Sequence, residues 1–367
     1  MRAAVFEEMG APLAFYDDVE IGRPNSEEVL VEVSHCGVCQ SDLSMVDGHF
    51  PAPLPVVLGH EAAGVVAEVG PGVTSVSVGD HVVLTPCAPC GRCPWCVRGQ
   101  WSLCANSDGL ITGTHPDGTT RLSRQGTLIH RGLAMAAFAE KVIVHQNGAV
   151  RVPDDVALDV ACVIGCAVQT GVGAVVNAAG VDEGDTVLVM GLGGVGLSVV
   201  QGARLAGASR IIVSDPVAER RERALALGAT DALDPTESDV VAAAHDLTEG
   251  GIGVDWAFDA AGRSALVAAG LDATRKGGTT VMVGVPALDD PLNYPLPAAI
   301  AFGGKRLIGT LLGDCNSLRD IPRLVSLAQT GQLDLAALIT QRRPLADINL
   351  AMDDLRSSTG VRTILEI

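Results

Sequence analysis

The residue types with the clearest chemical potential lie between Cys39 and Glu61. Cys39 opens this stretch, His60 and Glu61 close it, and thiolate, imidazole and carboxylate are the protein groups that bind zinc. The hydroxyl of Ser41 follows Cys39 by two positions, and a further soft ligand, Cys166, stands far along the chain. Three protein ligands with a free fourth position are typical of catalytic zinc, so these residues predict a metal centre that can act on a substrate.

Four further cysteines follow the spacing C-x2-C-x2-C-x7-C, at Cys90, Cys93, Cys96 and Cys104. Four thiolates so close in sequence suit a tetrahedral structural zinc, and an iron–sulfur cluster is the alternative, because cysteines at this spacing also serve there. Cys87, three residues upstream, is interpreted as a bystander thiol that could compete as a ligand. Alone, His60 would more often be a structural histidine, but its combination with these cysteines favours a ligand.

The sequence GLGGVG at residues 191–196 fits the G-x-G-x-x-G pattern of dinucleotide-binding loops. It follows a predicted strand and opens a predicted helix, which is the context in which this motif is informative. Gly191 would permit the tight turn, Gly193 would let a pyrophosphate approach the backbone, and Gly196 would let the helix pack on the strand. Gly194 and Val195 begin the helix, whose positive end would face the pyrophosphate.

Asp215 ends the next predicted strand, 19 residues after Gly196. A carboxylate there hydrogen-bonds ribose hydroxyls and repels a 2′-phosphate, which favours NAD over NADP. Arg220 and Arg221 could instead favour NADP, but they are interpreted as solvated or ribose-binding side chains. The effect of Asp215 on coenzyme preference is expected to dominate. A glycine-rich turn without a ligand is the alternative, and the strand–turn–helix context disfavours it.

Hydrophobic periodicity divides the chain into a part with short strands and a part in which strands and helices alternate. Up to about residue 150, short stretches separated by turn residues, such as Glu28–Val33 and His81–Leu84, predict a β-rich, barrel-like domain. A small-residue helix is predicted from Ala161 to about Ala179. Strands and helices then alternate, which predicts an α/β fold with a doubly wound parallel sheet. The first of these elements are Thr186–Met190, Gly194–Ala206, Arg210–Ser214 and Ala218–Leu227.

Two other segments carry structural predictions. Residues 105–131 have little apolar periodicity and contain Pro116-Asp117-Gly118, which predicts a long excursion with a hairpin turn. Near the C-terminus one helical face is predicted as core, formed by Leu318, Ile321, Leu324 and Leu327.

The net charge of −18 over 367 residues argues against nucleic acid or an anionic membrane as a partner. The first ten residues lack the apolar centre of a secretory signal, and no run of about 18 uncharged apolar residues occurs. We therefore expect a cytoplasmic protein whose ten cysteines serve as metal ligands or buried thiols and not as disulfides.

Together, these motifs resemble those of the zinc-dependent alcohol dehydrogenases of the medium-chain dehydrogenase/reductase superfamily, over essentially the whole chain. The matching stretches are GVCQSD (37–42), GHEAAG (59–64), the four cysteines of 90–104, IGCAVQTGVG (164–173), GLGGVG (191–196) and VRTIL (361–365). The resemblance implies a GroES-like catalytic domain of residues 1–167 and 311–367 and a Rossmann NAD-binding domain of residues 168–310. The excursion at 105–131 is similar to the long loop of the liver-type and class III branch, which implies a homodimer.

The resemblance also implies roles for individual residues. Catalytic zinc would bind Cys39, His60 and Cys166, with Glu61 beside these ligands or as an alternate ligand. Structural zinc would bind the four cysteines of 90–104, and Asp42 would hydrogen-bond the His60 ring. The residues expected around NAD, besides the glycine motif and Asp215, are Thr170, Val195, Val283 and Val285 at the nicotinamide, Arg220 at the adenosine ribose and Arg362 at the pyrophosphate.

The implied activity is hydride transfer between a small-molecule alcohol and NAD, with zinc acidifying the hydroxyl and Ser41 accepting its proton. Because serine leaves more room than threonine, we expect bulky or aromatic primary alcohols, and also secondary alcohols, to fit. In liver-type members the proton relay continues to a histidine three residues further on, where this chain has Ser44. Proton exit would then use water or another group such as His49.

Three alternatives stay open at this point. Members of the same branch oxidise formaldehyde–thiol adducts, and nicotinoprotein members keep NAD bound and need an external acceptor. A nucleotide-binding regulator without chemistry is the third, and the intact set of Cys39, Ser41, His60 and Cys166 argues against it.

Overall fold

The computed structural model describes residues 1–367 and divides the chain into two compact units. One unit consists of Met1–Gln169 and Cys315–Ile367, and the other, Thr170–Asp314, is inserted into its sequence. The predicted domain boundaries, after residues 167 and 310, lie a few residues before these crossings.

The chain forms nineteen β-strands. They are β1 (Ala3–Phe6), β2 (Ala14–Tyr16), β3 (Glu20–Ile21), β4 (Glu28–Gly37), β5 (Val56–Val57), β6 (Glu61–Val69), β7 (His81–Leu84), β8 (Leu122–Arg124), β9 (Thr127–Arg131), β10 (Lys141–His145), β11 (Ala149–Arg151), β12 (Thr186–Met190), β13 (Arg210–Ser214), β14 (Asp231–Leu233), β15 (Val254–Asp259), β16 (Thr274–Met282), β17 (Arg306–Gly309), β18 (Gln341–Pro344) and β19 (Thr363–Glu366).

Twelve α-helices accompany these strands. They are α1 (Gln40–Val46), α2 (Pro94–Val97), α3 (Gly109–Thr112), α4 (Leu158–Ala161), α5 (Ala167–Gly173), α6 (Gly194–Ala206), α7 (Ala218–Leu227), α8 (Val240–Asp246), α9 (Ser264–Ala273), α10 (Leu296–Gly303), α11 (Ser317–Gln329) and α12 (Ile348–Arg356).

The first unit is β-rich, as its strand-and-turn pattern predicts. One sheet has the strand order β2-β1-β5-β9-β8-β3, and a second has the order β11-β7-β6-β4-β19-β18, with β10 also paired to β4. The inward side chains of β4, including Val29, Val31 and Val33, belong to one core cluster. Because β19 pairs with the end of β4 (Ile364 opposite Gly37), the C-terminal segment reaches the loop that carries Cys39.

The second unit contains a six-stranded, all-parallel sheet in the order β14-β13-β12-β15-β16-β17. This is the 3-2-1-4-5-6 order of a doubly wound dinucleotide-binding fold. Its central strand, β12, is almost wholly apolar and buried, as expected for a parallel strand covered on both faces. The order reverses beside β12, so the loop after β12 opens at the point where such folds bind ligands.

Two predictions about elements need correction. The helix predicted from Ala161 to Ala179 is interrupted at Cys166, whose backbone (φ −135°, ψ −75°) is not helical. The turn predicted at Pro116–Gly118 is confirmed, because the Gly118 N–H donates to the His115 carbonyl (2.9 Å) and the His115 N–H donates to the Thr119 carbonyl (2.8 Å), and a second turn at Gln125 and Gly126 joins β8 and β9. Leu318, predicted as core, is 41% exposed because it lies on the outer face of α11.

None of the helices is by itself long and apolar enough to cross a membrane. One pair, Leu158–Gly165 with Ala167–Ala179, passes the length and composition test only when joined across a 51° bend.

Candidate functional site

Three of the predicted ligands, distant in sequence, converge in the first unit. Cys39 precedes α1, His60 precedes β6, and Cys166 occupies the break before α5. Their ligand atoms all lie within 4.8 Å of one another, and the Sγ atoms of Cys39 and Cys166 are 4.0 Å apart. All three side chains are buried. Two sulfurs and one imidazole fit a tetrahedral zinc with a free fourth position.

The electrostatics of this group favour a thiolate at Cys39. The hydrogen bond from the Cys166 thiol does most to lower the pKa of Cys39, and the charges of Arg362 and His60 lower it further against burial. The same sulfur–sulfur bond raises the pKa of Cys166. A metal ion that binds here would displace the thiol proton, because cysteine binds a metal as the thiolate.

Asp42 joins the two loops that carry Cys39 and His60. It is fully buried, and its Oδ1 accepts a hydrogen bond from the Gly59 N–H (2.8 Å) and lies 3.2 Å from Nδ1 of His60. Its Oδ2 accepts a bond from the Cys39 N–H (3.3 Å). Burial lowers the pKa of His60, but the charges of Asp42 and Cys39 and the hydrogen bonds to both together outweigh burial and raise that pKa. The expected contact between Asp42 and the His60 ring is confirmed, and it leaves Nε2 for a metal.

Glu61 is engaged by partners other than the three converging ligands. Its Oε2 accepts a hydrogen bond from the Ala167 N–H (2.9 Å), and its Oε1 lies 3.1 Å from Nε of Arg362. Burial raises the pKa of Glu61 to about 7 despite the charge of Arg362. The structure does not bring Glu61 into the group of three ligand atoms. A place beside the ligands therefore fits Glu61 better than a place among them.

Arg362 is buried in the first unit. It is 4% exposed, and its Nη1 donates to the Val38 carbonyl (2.8 Å) while its Nε faces Glu61. The expected contact between Arg362 and a pyrophosphate stays a prediction.

Gly37 has a role at this site that the sequence interpretation missed. A Cβ on Gly37 would lie 2.2 Å from Oε1 of Glu61, so only glycine leaves room for that carboxylate. The glycine is part of the GVCQSD stretch, but no periodicity or spacing in the sequence marks it as a packing partner of Glu61.

Ser41 and Ser44 lie on α1, where Ser41 is half-buried and Ser44 is buried. The backbone N–H of His49 donates to the Ser44 carbonyl (2.8 Å), and the His49 residue is exposed. The predicted roles of Ser41 and His49 in proton transfer stay predictions.

The tetracysteine group is brought together around α2. The ligand atoms of Cys90, Cys93, Cys96 and Cys104 lie within 4.8 Å of one another. Backbone N–H groups point at the sulfurs, since the Cys90 N–H donates to Sγ of Cys104 (3.2 Å) and the Cys93 N–H to Sγ of Cys90 (3.3 Å). Hydrogen bonds from the backbone lower the pKa of Cys93 to about 6. Four converging sulfurs with such donors fit a structural zinc.

Cys87 stays outside this group. It is buried, and burial raises the pKa of its thiol to about 11. The prediction of a bystander thiol fits this position, because the Cys87 sulfur is not among the four ligand atoms that converge.

The glycine motif forms a tight turn between β12 and α6. Gly191 has a φ of +90°, which favours glycine, and a Cβ on Gly196 would lie 1.8 Å from the Gly191 carbonyl oxygen. A Cβ on Gly193 would meet nothing within 4 Å, so the backbone there is open to a ligand. The turn therefore has the tight bend, the open approach and the close packing that a pyrophosphate-binding loop requires.

Asp215 lies directly after β13 and is tied to the glycine turn. Its Oδ2 accepts a hydrogen bond from the Leu192 N–H and its Oδ1 from the Val217 N–H, each 2.8 Å long. Each carboxylate oxygen can accept a second bond, so ribose hydroxyls still find acceptors. Nη1 of Arg220 is 3.9 Å from Oδ2, and Arg221 donates to the Asp215 carbonyl. Both arginines thus lie beside Asp215, and the roles of Asp215 and Arg220 at the adenosine ribose stay predictions.

The residues expected at the nicotinamide all belong to the second unit, where Thr170 and Val283 are buried, Val195 is half-buried and Val285 is 60% exposed. Their contact with the coenzyme stays a prediction.

Comparison with known proteins extends this description to the whole chain. Residues 25–154 match the family model described as the alcohol dehydrogenase GroES-like domain, and residues 194–330 match the model described as zinc-binding dehydrogenase. The chain is 37% identical to the S-(hydroxymethyl)glutathione dehydrogenase of Synechocystis sp., covering 99% of both chains. It is also 37% identical to the NDMA-dependent alcohol dehydrogenase of Amycolatopsis methanolica, covering 99% of this chain and 98% of that protein.

A solved structure shares the complete fold. The crystal structure of benzyl alcohol dehydrogenase from Acinetobacter calcoaceticus matches with a TM-score of 0.93 and 34% identity, over 100% of this chain and 99% of that one. With the converging zinc ligands and the dinucleotide-binding turn, these similarities show that the chain belongs to the zinc-dependent alcohol dehydrogenases of the medium-chain dehydrogenase/reductase superfamily.

Proposed function

We propose that this chain oxidises primary alcohols with NAD, and reduces the corresponding carbonyl compounds, at a zinc held by Cys39, His60 and Cys166. The observation that carries this proposal is the convergence of the three ligand atoms within 4.8 Å. Zinc bound there supplies a Lewis acid that lowers the pKa of an alcohol hydroxyl, and NAD supplies the hydride acceptor. The four cysteines of 90–104 hold a second, structural zinc.

The residues around the three ligands either orient these ligands or move a proton. Asp42 holds the His60 ring through Nδ1 and the Cys39 loop through its backbone N–H. Ser41, two residues after Cys39, receives the alcohol proton at Oγ and passes it towards solvent. Glu61 stays beside the ligands, because Ala167 and Arg362 already engage its carboxylate.

The second unit binds the coenzyme. Gly191, Gly193 and Gly196 form the turn that receives the pyrophosphate, with Gly194 and Val195 at the start of α6. Asp215 binds the adenosine ribose with Arg220 beside it, which favours NAD. The residues that contact the nicotinamide are Thr170, Val195, Val283 and Val285, and Arg362 reaches the pyrophosphate.

The preferred substrates are bulky or aromatic primary alcohols, and secondary alcohols are also accepted. Support comes from the small Ser41 side chain and from the name of the matching structure, benzyl alcohol dehydrogenase. The test is a panel of ethanol, longer alkanols, benzyl alcohol and secondary alcohols, followed by NADH absorbance with NADP as the coenzyme control. Oxidation of ethanol and other short alcohols alone would contradict the proposed substrate range.

A pair of cysteine variants tests the zinc assignment. Cys166→Ser is expected to lose one zinc by metal analysis and essentially all activity, because a ligand is removed. Cys162→Ser, which changes a buried thiol that donates to the Asp159 carbonyl, is the matched control and should keep both zinc ions. An active Cys166→Ser variant with its zinc content unchanged would refute the assignment.

A second candidate function is favoured by the names of two relatives, S-(hydroxymethyl)glutathione dehydrogenase and NDMA-dependent alcohol dehydrogenase. The first suggests oxidation of a formaldehyde–thiol adduct, and the second suggests an external electron acceptor. Formaldehyde oxidation that requires an added low-molecular-weight thiol would identify the first. NAD that stays bound through gel filtration, with turnover only on adding an acceptor, would identify the second.

We also propose a homodimer of the long-loop branch in the cytoplasm. The strand β17 pairs only with β16, so the sheet of the second unit has a free edge there. In the segment that joins β16 to β17, Phe302 is 88% exposed and Leu288 is 79% exposed. Such an edge with exposed apolar side chains suits pairing with a second copy of the chain. All ten cysteines are free thiols, which agrees with a reducing compartment.

A further inference from the structure

A buried glutamine next to the third zinc ligand has no part in the chemistry proposed above. Gln169 is fully buried, three residues after Cys166, within α5. Its amide nitrogen donates to the Gly165 carbonyl and to Oγ1 of Thr85 (3.2 Å). Its amide oxygen accepts a hydrogen bond from Oγ of Ser317 (3.0 Å). All the polar atoms of this side chain are therefore in use.

These contacts form a closed ring, the Gln169 ring, made of Gln169, Thr85 and Ser317. The hydroxyl oxygens of Thr85 and Ser317 are 3.1 Å apart. Because the only hydroxyl hydrogen of Ser317 is donated to the Gln169 amide oxygen, the hydrogen between the two hydroxyls comes from Thr85. The amide nitrogen then donates one hydrogen to Thr85 and the other to Gly165. Thr85 and Ser317 are 3% and 1% exposed. A buried hydrogen-bond network in which each hydrogen has one acceptor holds its side chains in a single conformation.

The Gln169 ring acts on the backbone that carries Cys166. The helical hydrogen-bond pattern is interrupted at Cys166, so regular helix does not fix this residue. Instead, its neighbours on both sides are held by side chains: Gln169 holds the Gly165 carbonyl, and Glu61 holds the Ala167 N–H (2.9 Å). Gly165 also packs against β7, because a Cβ there would lie 2.3 Å from the Leu84 carbonyl oxygen.

We propose that Gln169 is a positioning residue for Cys166, and that the Gln169 ring sets the direction of its sulfur so that the catalytic zinc is retained. This inference rests on the proposed function, because it assumes zinc at Cys39, His60 and Cys166. Gln169 touches none of the reacting groups and acts only through the Gly165 peptide. Thr85 and Ser317 act one step further away, by holding the amide of Gln169.

The test uses the purified holoenzyme and the variant Gln169→Met, which keeps the length of the side chain and removes its hydrogen bonds. Zinc released to a chelator is followed with a metal-sensitive dye, and two phases are expected, one for each site. In Gln169→Met the catalytic phase should accelerate about 10- to 100-fold, the range seen when groups supporting metal ligands are removed. The tetracysteine phase should not change. The visible spectrum of the Co²⁺-substituted protein should shift as well, because the cobalt–thiolate geometry changes.

Two further variants separate positioning from general loss of stability. Gln146→Met is the matched control, because Gln146 is also buried in the first unit and accepts hydrogen bonds from the backbone N–H groups of Thr74 and Ser75. It should lower Tm without changing either zinc phase. Ser317→Ala opens the ring but keeps the bond to Gly165, so its catalytic phase should fall between those of the wild type and Gln169→Met.

Release of the catalytic zinc at the wild-type rate from both Gln169→Met and Ser317→Ala would overturn the inference. Equal acceleration by Gln146→Met would overturn it too, since the effect would then reflect stability. If Gln169→Met does not fold, Ser317→Ala decides the question alone. A wild-type protein with only one zinc phase would instead refute the proposed function, which is a distinguishable result.

Discussion

Asp42 shows how one side chain can support two metal ligands at once. It accepts hydrogen bonds from the backbone of both ligand loops and from the ring of His60, and it is inaccessible to solvent. Its negative charge also favours His60 as a ligand, because a carboxylate on one ring nitrogen makes the other nitrogen a stronger base.

We expect Asp42→Asn to weaken zinc binding and to lower kcat/KM by about 10- to 100-fold, since the ring of His60 loses its charged partner. Metal analysis after dialysis and steady-state kinetics measure the two effects. Asp80→Asn is the control, because Asp80 belongs to the same unit and accepts a hydrogen bond from the Ser77 N–H, with no contact to the three ligands or to the Gln169 ring. Equal losses in the two variants would show that Asp42 has only a structural role.

At the residue scale, the sequence predicts which side chains converge into the two candidate metal sites, because few residue types bind zinc and their spacing is restrictive. The partners of Glu61 could not be predicted in this way. Arg362 meets Glu61 because β19 pairs with the end of β4, and Gly37 meets it by close packing. Contacts set by strand pairing between distant segments leave no local pattern in a single sequence.

At the element scale, β4 connects the excursion at residues 105–131 to the loop that carries Cys39. The last residue of β4, Gly37, leads into the Cys39 loop, and its first residue, Glu28, contacts the excursion. Arg121 donates to both carboxylate oxygens of Glu28 (2.7 and 3.1 Å), and Nδ1 of His115 lies 3.0 Å away. One buried carboxylate thus anchors a segment that has little core of its own.

We expect Glu28→Gln to lower stability in a pH-dependent way. Burial alone would raise the pKa of Glu28, but hydrogen bonds from His115 and Arg121 lower it from 4.5 to about 2. A lowered folded-state pKa stabilises the protein above the unfolded pKa, and this contribution is lost as the pH falls from about 4.5 to about 2. The variant should therefore be less stable by about 1–2 kcal/mol at pH 7, less than full linkage because solvent screens part of the charge.

Urea unfolding at a series of pH values measures this difference, which should shrink below pH 4.5 because the Glu28 carboxylate becomes protonated in the unfolded chain while it stays ionised in the folded protein. Glu32→Gln is the control on the same strand, because its exposed ion pair with Lys141 contributes little. A difference between Glu28→Gln and wild type that stays constant down to pH 3 would contradict the assigned role of the charge.

Regular elements are predicted most closely where the apolar period is continuous. The predicted bounds of β12, α6, β13 and α7 agree with the structure, because each is a short periodic run ended by glycine or a polar residue. The break at Cys166 was not predictable from periodicity, since small apolar residues continue through it. It depends on Gln169 and Glu61, whose contacts reach into other segments.

At the scale of the whole molecule, the free edge of the parallel sheet has a consequence for assembly. The helix α10 precedes β17 and is almost entirely apolar, yet none of its residues is fully buried. Ile300 and Phe302 are 44% and 88% exposed. An apolar helix beside an unpaired strand is costly in water, so we expect both to be covered by a second copy of the chain.

We therefore expect the wild-type protein to have twice the chain mass of 37.6 kDa in size-exclusion chromatography with light scattering, and Phe302→Glu to shift it towards 37.6 kDa. A charge placed in a desolvated interface finds no partner, and its burial costs several kcal/mol, enough to separate the subunits at micromolar concentration.

Leu128→Glu is the matched control, because Leu128 is also apolar and 64% exposed but belongs to the other unit. It should leave the mass unchanged. A wild-type monomer, or a Phe302→Glu variant that remains dimeric, would exclude this surface as the interface, whereas dissociation by Leu128→Glu alone would place the interface on the first unit.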